Sequence, residues 1–209
     1  MACTIFHDAF EVLVYRVLID PLIWPLRLRI VRLCRELDVR KVLDIASATG
    51  AQCRMLARAG IKATGIELSE VMVAAARRRG GRNTHYIHGS AYDLPFDDGS
   101  FDAALLLFAL HEHTEKERET MFKQALRVLR PDGYLIIADY NRPRCANFHV
   151  AWQIIRLIEE MAGGEHRAGF KDFVSRGGLA GLLGRHALTP MQQSRWHSGA
   201  VVIAVIRRG

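Results

Sequence analysis

The residues best suited to chemistry gather at the end of a short apolar run. In Val42-Leu43-Asp44-Ile45-Ala46-Ser47-Ala48-Thr49-Gly50 an acid sits inside the run and small residues follow it. Small side chains at the carboxyl end of a strand let a ligand approach the backbone, and a helix starting there offers unpaired N–H groups. A second acid, Glu67, ends the next apolar run, 67 − 44 = 23 residues further on. From that position a carboxylate accepts hydrogen bonds from both hydroxyls of a ribose. The pair implies an adenosine-containing ligand. A dinucleotide loop reads G-x-G-x-x-G with no acid ahead of it, and Asp44 suits a cationic group better than a pyrophosphate. An NAD-dependent oxidoreductase is therefore disfavoured.

A second group of polar residues lies beyond the fourth apolar run, at Leu110-His111-Glu112-His113. His111 or His113 could take a proton from an acceptor, and a histidine contacting backbone at a helix start is the plain structural alternative. Their alternation also suits a metal pair, but no third ligand stands at a persuasive spacing, so no metal is expected. Tyr140 and Asn141 follow the fifth run and face the same side; loop packing is their structural alternative.

These residues need a scaffold of alternating strands and helices. Short apolar runs at Lys41–Ile45, Lys62–Ile66, Thr84–His88, Asp102–Leu107 and Tyr134–Asp139 read as strands. Ala51–Ala59, Glu70–Arg79 and Glu115–Leu129 read as helices between them. The alternation predicts an α/β doubly wound fold, a mostly parallel sheet wrapped by helices. Residues 1–37 read as helical, with Phe6, Phe10, Leu13, Val14, Val17 and Leu18 at helical spacing and a break at Asp20-Pro21. Beyond Asp139 we expect a helix over about 147–161, a Gly163-Gly164 break, two short helices near 168–176 and 178–185, and a terminal hairpin from Leu188–Arg195 and Ala200–Ile206. One domain is expected: a helical cap (1–38), a ligand-binding core (39–140), a helical lid (141–187) and the hairpin (188–209).

Composition sets outer limits. Of 209 residues, 50% are hydrophobic and 24% charged, the balance of a chain that buries a core rather than one that stays disordered. No uninterrupted apolar stretch approaches the ~18 residues of a membrane helix, and Asp8 and Glu11 stand where a signal peptide would be basic. Cys3, Cys34, Cys53 and Cys145 are scattered without a C-x-x-C pair. A cytoplasmic protein is expected. The net charge of +7 suits anionic partners without naming one. Its tightest run, Arg77-Arg78-Arg79, complements a helix C-terminus, which makes a solvated helix end the simpler reading.

Several of these segments carry a family resemblance. Asp44 through Gly50 resembles the D-x-G-x-G-x-G motif of the class I S-adenosylmethionine-dependent methyltransferases, with Ala46 and Ala48 in place of two glycines. Glu67-Leu68-Ser69-Glu70-Val71-Met72 is similar to the family's acid-L-S-x-x-M stretch, with Ser69 a helix N-cap and Met72 toward the adenine. Gly89-Ser90-Ala91-Tyr92-Asp93-Leu94-Pro95-Phe96-Asp97-Asp98-Gly99-Ser100-Phe101-Asp102 is close to G-D-A-x-x-L-P-F-x-D-x-S-F-D, with Ser90 in place of the Asp that holds the adenine amino group. Arg127-Val128-Leu129-Arg130-Pro131-Asp132-Gly133 matches R-V-L-K-P-G-G, a helix stop and turn feeding the next strand. The matches cover about residues 42–139 in order. Tyr15-Arg16-Val17-Leu18-Ile19-Asp20 is similar to the Y-D-l-l-n-d stretch of ubiquinone and menaquinone biosynthesis methyltransferases, where the Tyr lies over the cofactor.

The resemblance implies a seven-stranded Rossmann-like sheet with a C-terminal antiparallel hairpin. It also implies S-adenosyl-L-methionine as cofactor, held by Tyr15, Asp44, Ala46, Ser47, Gly50, Glu67, Leu68, Met72, Ser90, Ala91 and Leu107. His111, His113 and Tyr140 are the candidate catalytic residues. Methyl transfer from a sulfonium is an in-line displacement, so alignment in a dry cavity is the main requirement. The apolar Val12, Trp24, Leu26, Leu28, Phe148, Trp152, Ile155 and Phe170 could line a pocket for a small lipophilic acceptor, a quinone precursor or lipid headgroup, with Arg142, Arg144 and Arg167 nearby for an anionic group. Packing on the sheet explains the same apolar faces. Two other readings remain: a weakly binding or non-catalytic relative acting through a partner, and an RNA methyltransferase. For the last there is charge, but neither an appended RNA-binding module nor an N-P-P-[YF] motif. Nucleic acid is therefore an unlikely partner, and peripheral membrane contact remains open.

Overall fold

The computed structural model describes residues 12–13, 15–141, 149–161 and 164–209. Phe6, Phe10, Val14, Arg142, Arg144 and Phe148 of the sequence reading, with Cys3 and Cys145, lie outside them. Seven strands form one sheet: β1 (Lys41–Ile45), β2 (Lys62–Glu67), β3 (Thr84–His88), β4 (Phe101–Leu107), β5 (Leu129–Tyr140), β6 (Gln192–Trp196) and β7 (Val201–Arg207). Their order is β3-β2-β1-β4-β5-β7-β6. The five strands from β3 to β5 pair in parallel, while β7 runs antiparallel between β5 and β6. Val42, Leu43, Ile45 and Leu105 on the central strands are fully enclosed, as expected for a parallel sheet covered on both faces.

The order reverses between β1 and β4, so the crevice at the carboxyl ends of these strands is where an α/β sheet receives a ligand. Asp44 and Ile45 of β1 face Leu105 and Leu106 of β4 at that end. Helices α1 (Trp24–Glu36), α2 (Ala51–Arg58), α3 (Glu70–Arg79) and α4 (Glu115–Arg127) follow the expected positions. Ser69 caps α3, accepting from the Met72 amide at 3.3 Å, and Thr114 with Glu117 forms a capping box on α4. Arg77, Arg78 and Arg79 do end α3. Past β5, α5 (His149–Met161), α6 (Gly164–Ser175) and α7 (Gly178–Arg185) pack beside the sheet's carboxyl end.

Two details differ from the sequence reading. The Arg130–Gly133 turn is absorbed into β5: Leu129 pairs with Phe101, the register shifts, and pairing resumes at Ala103 with Tyr134. Asp132 absorbs the bulge at φ +62°. The expected break in the N-terminal segment falls at Ile23 rather than at Asp20-Pro21, with a π-turn over Tyr15–Ile19 and a helical turn over Asp20–Leu22 before α1. Among the described residues Trp24 and Leu28 are 44% and 39% exposed, whereas Leu26 is buried and lines the small cavity at the end of β1.

Candidate functional site

At the crossover, Tyr15, Asp44, Ala46, Ser47 and Leu107 line one small cavity, together with Ile23, Leu26, Arg27 and Phe108. Five residues chosen from sequence thus meet in space. Asp44 is almost completely buried, and burial lifts its pKa to about 6, against the opposing charge of Arg27. Burial likewise raises the Tyr15 phenol to about 12. Arg27 is the cationic partner that sequence reasoning missed. It is 5% exposed, its Nη2 donates to Asp20 Oδ1 at 2.8 Å, and its buried Nε has no partner among the described residues. Its signal was an arginine on the apolar face of α1, beside Leu26 and one turn from Ile30. The Ser47 hydroxyl is also buried, with no partner among the described residues. Unpaired buried donors cost free energy, and a ligand that pairs them recovers it.

The loop after β1 is built tightly around this cavity. Ala46 and Ala48 both take positive φ, +57° and +46°, so the two alanines stand where the backbone adopts the glycine-favouring conformation. Gly50 at φ +70° leads into α2, and a side chain there would run into the Tyr86 ring, whose hydroxyl donates to the Gly50 carbonyl at 3.1 Å. Glu67 locks the loop from the neighbouring strand: Oε2 accepts the Ala48 amide and Oε1 the Ser69 amide, each at 2.9 Å. Each oxygen retains a lone pair for a further donor. The remaining expected ligand residues stand apart from the cavity lining. Leu68 is exposed, Met72 is on the buried face of α3, and the Ser90 hydroxyl accepts from the Tyr92 amide at 3.1 Å in the loop that also carries Ala91.

Phe108, at φ +55°, separates the cavity from a second polar cluster. Its ring lies 5.5 Å from that of Tyr140, which lies 4.6 Å from His111. His111 Nδ1 donates to Asp139 Oδ1 at 2.8 Å, and Asp139 also accepts the Leu110 and Tyr140 amides. Nε2 thereby turns toward Glu159 Oε2, 3.5 Å away. The Tyr140 hydroxyl donates to Glu159 Oε1 at 2.9 Å, and His166 Nε2 lies 2.5 Å from Glu159 Oε2. Burial opposes a charged His111, but Asp139 and Glu159 outweigh it and raise its pKa to about 10. Burial would raise Glu159 too, yet hydrogen bonds from the two imidazoles bring it down to about 2.

His113 takes no part in this cluster. Its Nδ1 lies 2.9 Å from the Tyr92 hydroxyl, and burial lowers its pKa. His111 and His113 therefore do not form the alternating pair that their spacing suggested, because the chain turns through a 3₁₀ helix at Leu110–Glu112. Asn141 is likewise engaged elsewhere, its Oδ1 accepting the Ala180 amide at the start of α7. Glu159 and His166 went unnoticed in the sequence. Glu159 sits one turn from buried Ile155, an acid on an apolar helical face, which was its only signal.

The segment beyond β5 is fastened here. Arg118 of α4 is fully buried and donates to the carbonyls of Leu110 and Gly169 and to Asp172 Oδ2, at 2.9, 2.8 and 2.7 Å. Gly169 lets α6 meet the 3₁₀ turn, since a Cβ there would lie 2.6 Å from the Glu112 carbonyl oxygen. Ile155 and Phe170 are buried and Trp152 packs on Phe170, whereas Arg167 is exposed.

Comparison with known proteins agrees with this architecture. Residues 43–137 match the family model described as a methyltransferase domain. Demethylmenaquinone methyltransferase of Clavibacter sepedonicus is 36% identical over 105 residues, 49% of this chain and 42% of that protein. That of Thermotoga maritima is 34% identical over 124 residues, 58% and 53% of the two chains. The chain thus spans about half the length of the curated relatives it matches. The PH0226 protein from Pyrococcus horikoshii superposes with a TM-score of 0.67 at 22% identity, covering 91% of this chain and 89% of that one. Magnesium protoporphyrin IX methyltransferase from Synechocystis, solved with bound SAH, gives 0.63 at 17% identity, covering 88% and 83%. At these identities the structures share the fold. The matched segment runs from β1 into β5 and carries the Asp44 loop and Glu67, so this part of the chain is similar to a methyltransferase domain.

Proposed function

We propose that this chain transfers a methyl group from S-adenosyl-L-methionine to a small lipophilic acceptor. The observation that carries the reading is the convergence of Asp44, Ser47, Ala46 and Leu107 on one cavity, with Glu67 fixing the loop beside it. In this reading Asp44 pairs with the cofactor's ammonium, the unpaired Arg27 Nε with its carboxylate, and Glu67 accepts the ribose hydroxyls through its free lone pairs. Tyr15 covers the amino-acid end. Leu68, Met72, Ser90 and Ala91 stand on the adenine side, and Gly50 keeps the helix N-terminus open.

The acceptor enters across Phe108, where Tyr140, Phe170, Trp152 and Ile155 offer an apolar and aromatic wall. The named acceptor of the Clavibacter and Thermotoga relatives, demethylmenaquinone, has the matching chemistry: a flat ring with an apolar tail. In this reading the described residues of 141–187 serve as the lid, those of 1–38 as the cap, and 188–209 as the closing hairpin. His111 or Tyr140 then handles a proton at the acceptor, and His113, in contact with the Tyr92 hydroxyl, stands outside their cluster. No helix among the described residues is long and apolar enough to cross a membrane.

Calorimetric titration of stripped protein with S-adenosylmethionine and S-adenosylhomocysteine, with NAD as control, tests the reading. Micromolar binding of the first two, lost in Asp44→Ala and Glu67→Ala, is expected. No binding at millimolar ligand would leave a non-catalytic relative acting through a partner.

A further inference from the structure

The cluster beyond Phe108 has the construction of a metal site. We propose that His111, Glu159 and His166 bind a first-row divalent cation, with Zn²⁺ the best match to their donor set. One nitrogen or oxygen from each residue lies within 4.8 Å of the others. Two imidazoles and one carboxylate, with a fourth position left over, form a donor set of catalytic zinc sites. The ligands come from three segments, the 3₁₀ turn, α5 and α6, so the chelate exists only in the folded protein.

The outer groups are arranged as a metal requires. Asp139 takes the Nδ1–H of His111 and turns Nε2 inward. Tyr140 occupies Glu159 Oε1 and leaves Oε2 facing the imidazoles. Both are the outer-shell contacts that fix a ligand's orientation and strengthen it as a donor. Ligands held at ~2.0–2.2 Å in a tetrahedron stand roughly 3.3–3.6 Å apart, and His111 Nε2 and Glu159 Oε2 are already 3.5 Å apart. His166 is the part that must give. Its 2.5 Å contact with Glu159 has to open by roughly 1 Å, and its ring, 27% exposed, has room on the solvent side. Glu112, 3.9 Å from His111 Nε2, stands ready for the fourth position or leaves it to water.

The bound ion would stand beside Tyr140, on the acceptor side of the proposed methyl-transfer cavity. That location rests on the functional reading above, whereas metal binding does not. There the cation would act as a Lewis acid toward an acceptor oxygen and tie α5 and α6 to the core.

Tag-free, chelator-treated protein without cofactor is titrated with Zn²⁺ by calorimetry and with Co²⁺ by visible absorption. One equivalent of each binds with micromolar or tighter affinity, and Co²⁺ gives the intense d–d bands of a four-coordinate site. His166→Gln and Glu159→Gln each weaken binding at least tenfold, while His85→Gln, on the exposed face of β3, leaves it unchanged. If Glu159→Gln fails to fold, Cu²⁺ EPR of the wild type and His166→Gln decides: two imidazole nitrogens in the first, one in the second. Absence of saturable binding at sub-millimolar metal would overturn the proposal, as would binding indifferent to His166→Gln or an EPR signal without nitrogen coupling. The cluster would then be a protonated ion-pair network. Since the test omits the cofactor, its failure leaves the methyl-transfer reading standing.

Discussion

Ala46 and Ala48 hold left-handed backbone conformations, at φ +57° and +46°, which gives a prediction opposite to the usual effect of glycine. A non-glycine residue in that region costs about 1–2 kcal/mol. Replacing it by glycine removes that cost but returns about 0.4–1 kcal/mol of conformational freedom to the unfolded chain. Both methyl groups are half-buried, so losing each forfeits less than half of the ~0.8 kcal/mol of a fully buried methylene. The balance is a stabilisation of about 0.5 kcal/mol per site and about 1 kcal/mol for Ala46→Gly/Ala48→Gly together. In a domain of this size 1 kcal/mol corresponds to about 2–4 °C in Tm. The Ala48 amide keeps its bond to Glu67, because that contact uses the backbone. Differential scanning calorimetry of the single and double variants reads the effect, with Ala57→Gly inside α2 as reference. There the ordinary rule applies, and glycine costs about 1 kcal/mol. If the loop variants lowered Tm as Ala57→Gly does, the strain argument would be wrong. Removing the two methyl groups also clears the backbone facing the cavity, so S-adenosylmethionine should bind the double variant more tightly.

Further expectations concern the charged residues. Asp44, with its pKa raised by burial to about 6, holds a proton more firmly in the folded than in the unfolded chain, so its contribution to stability falls as pH rises from below about 4 through 6. Asp44→Asn therefore raises the Tm of the ligand-free protein at pH 7.5 while abolishing cofactor binding; a lower Tm would contradict the burial argument. In the wild type, cofactor affinity weakens as pH falls below about 6, about tenfold per unit once Asp44 is protonated. Arg118→Met removes the guanidinium that the Leu110 and Gly169 carbonyls and Asp172 Oδ2 share, and costs about 2–4 kcal/mol in urea unfolding. Hydrogen exchange should accelerate in α6 ahead of the sheet, and unchanged exchange there would mean that Arg118 does not fasten the segment. Gly169→Ala tests the same contact sterically, displacing α6 from the 3₁₀ turn.

The sequence by itself determined the core. Its alternating apolar runs located β1 to β4, because a strand covered on both faces must be apolar throughout and helices between such strands leave a 3.6-residue period. The acids at Asp44 and Glu67 were legible for a related reason: a carboxylate at the end of an apolar strand has no packing role, so its chemistry shows. What neighbours do to a residue could not be read locally. Arg27 shares the apolar face of its helix with Leu26 and Ile30, but it becomes the cavity's cation only because α1 lies across the end of β1. His111 and His113, two residues apart, part company because one turn of 3₁₀ helix sends them to Asp139 and Tyr92. Glu159 and His166 lie 47 and 54 residues beyond Glu112 at the end of the 3₁₀ turn, and they meet His111 only when Arg118 and Gly169 let α6 dock. Period and composition record which face of an element is buried; which buried groups touch depends on the packing of elements distant in sequence, and that only the tertiary structure decided.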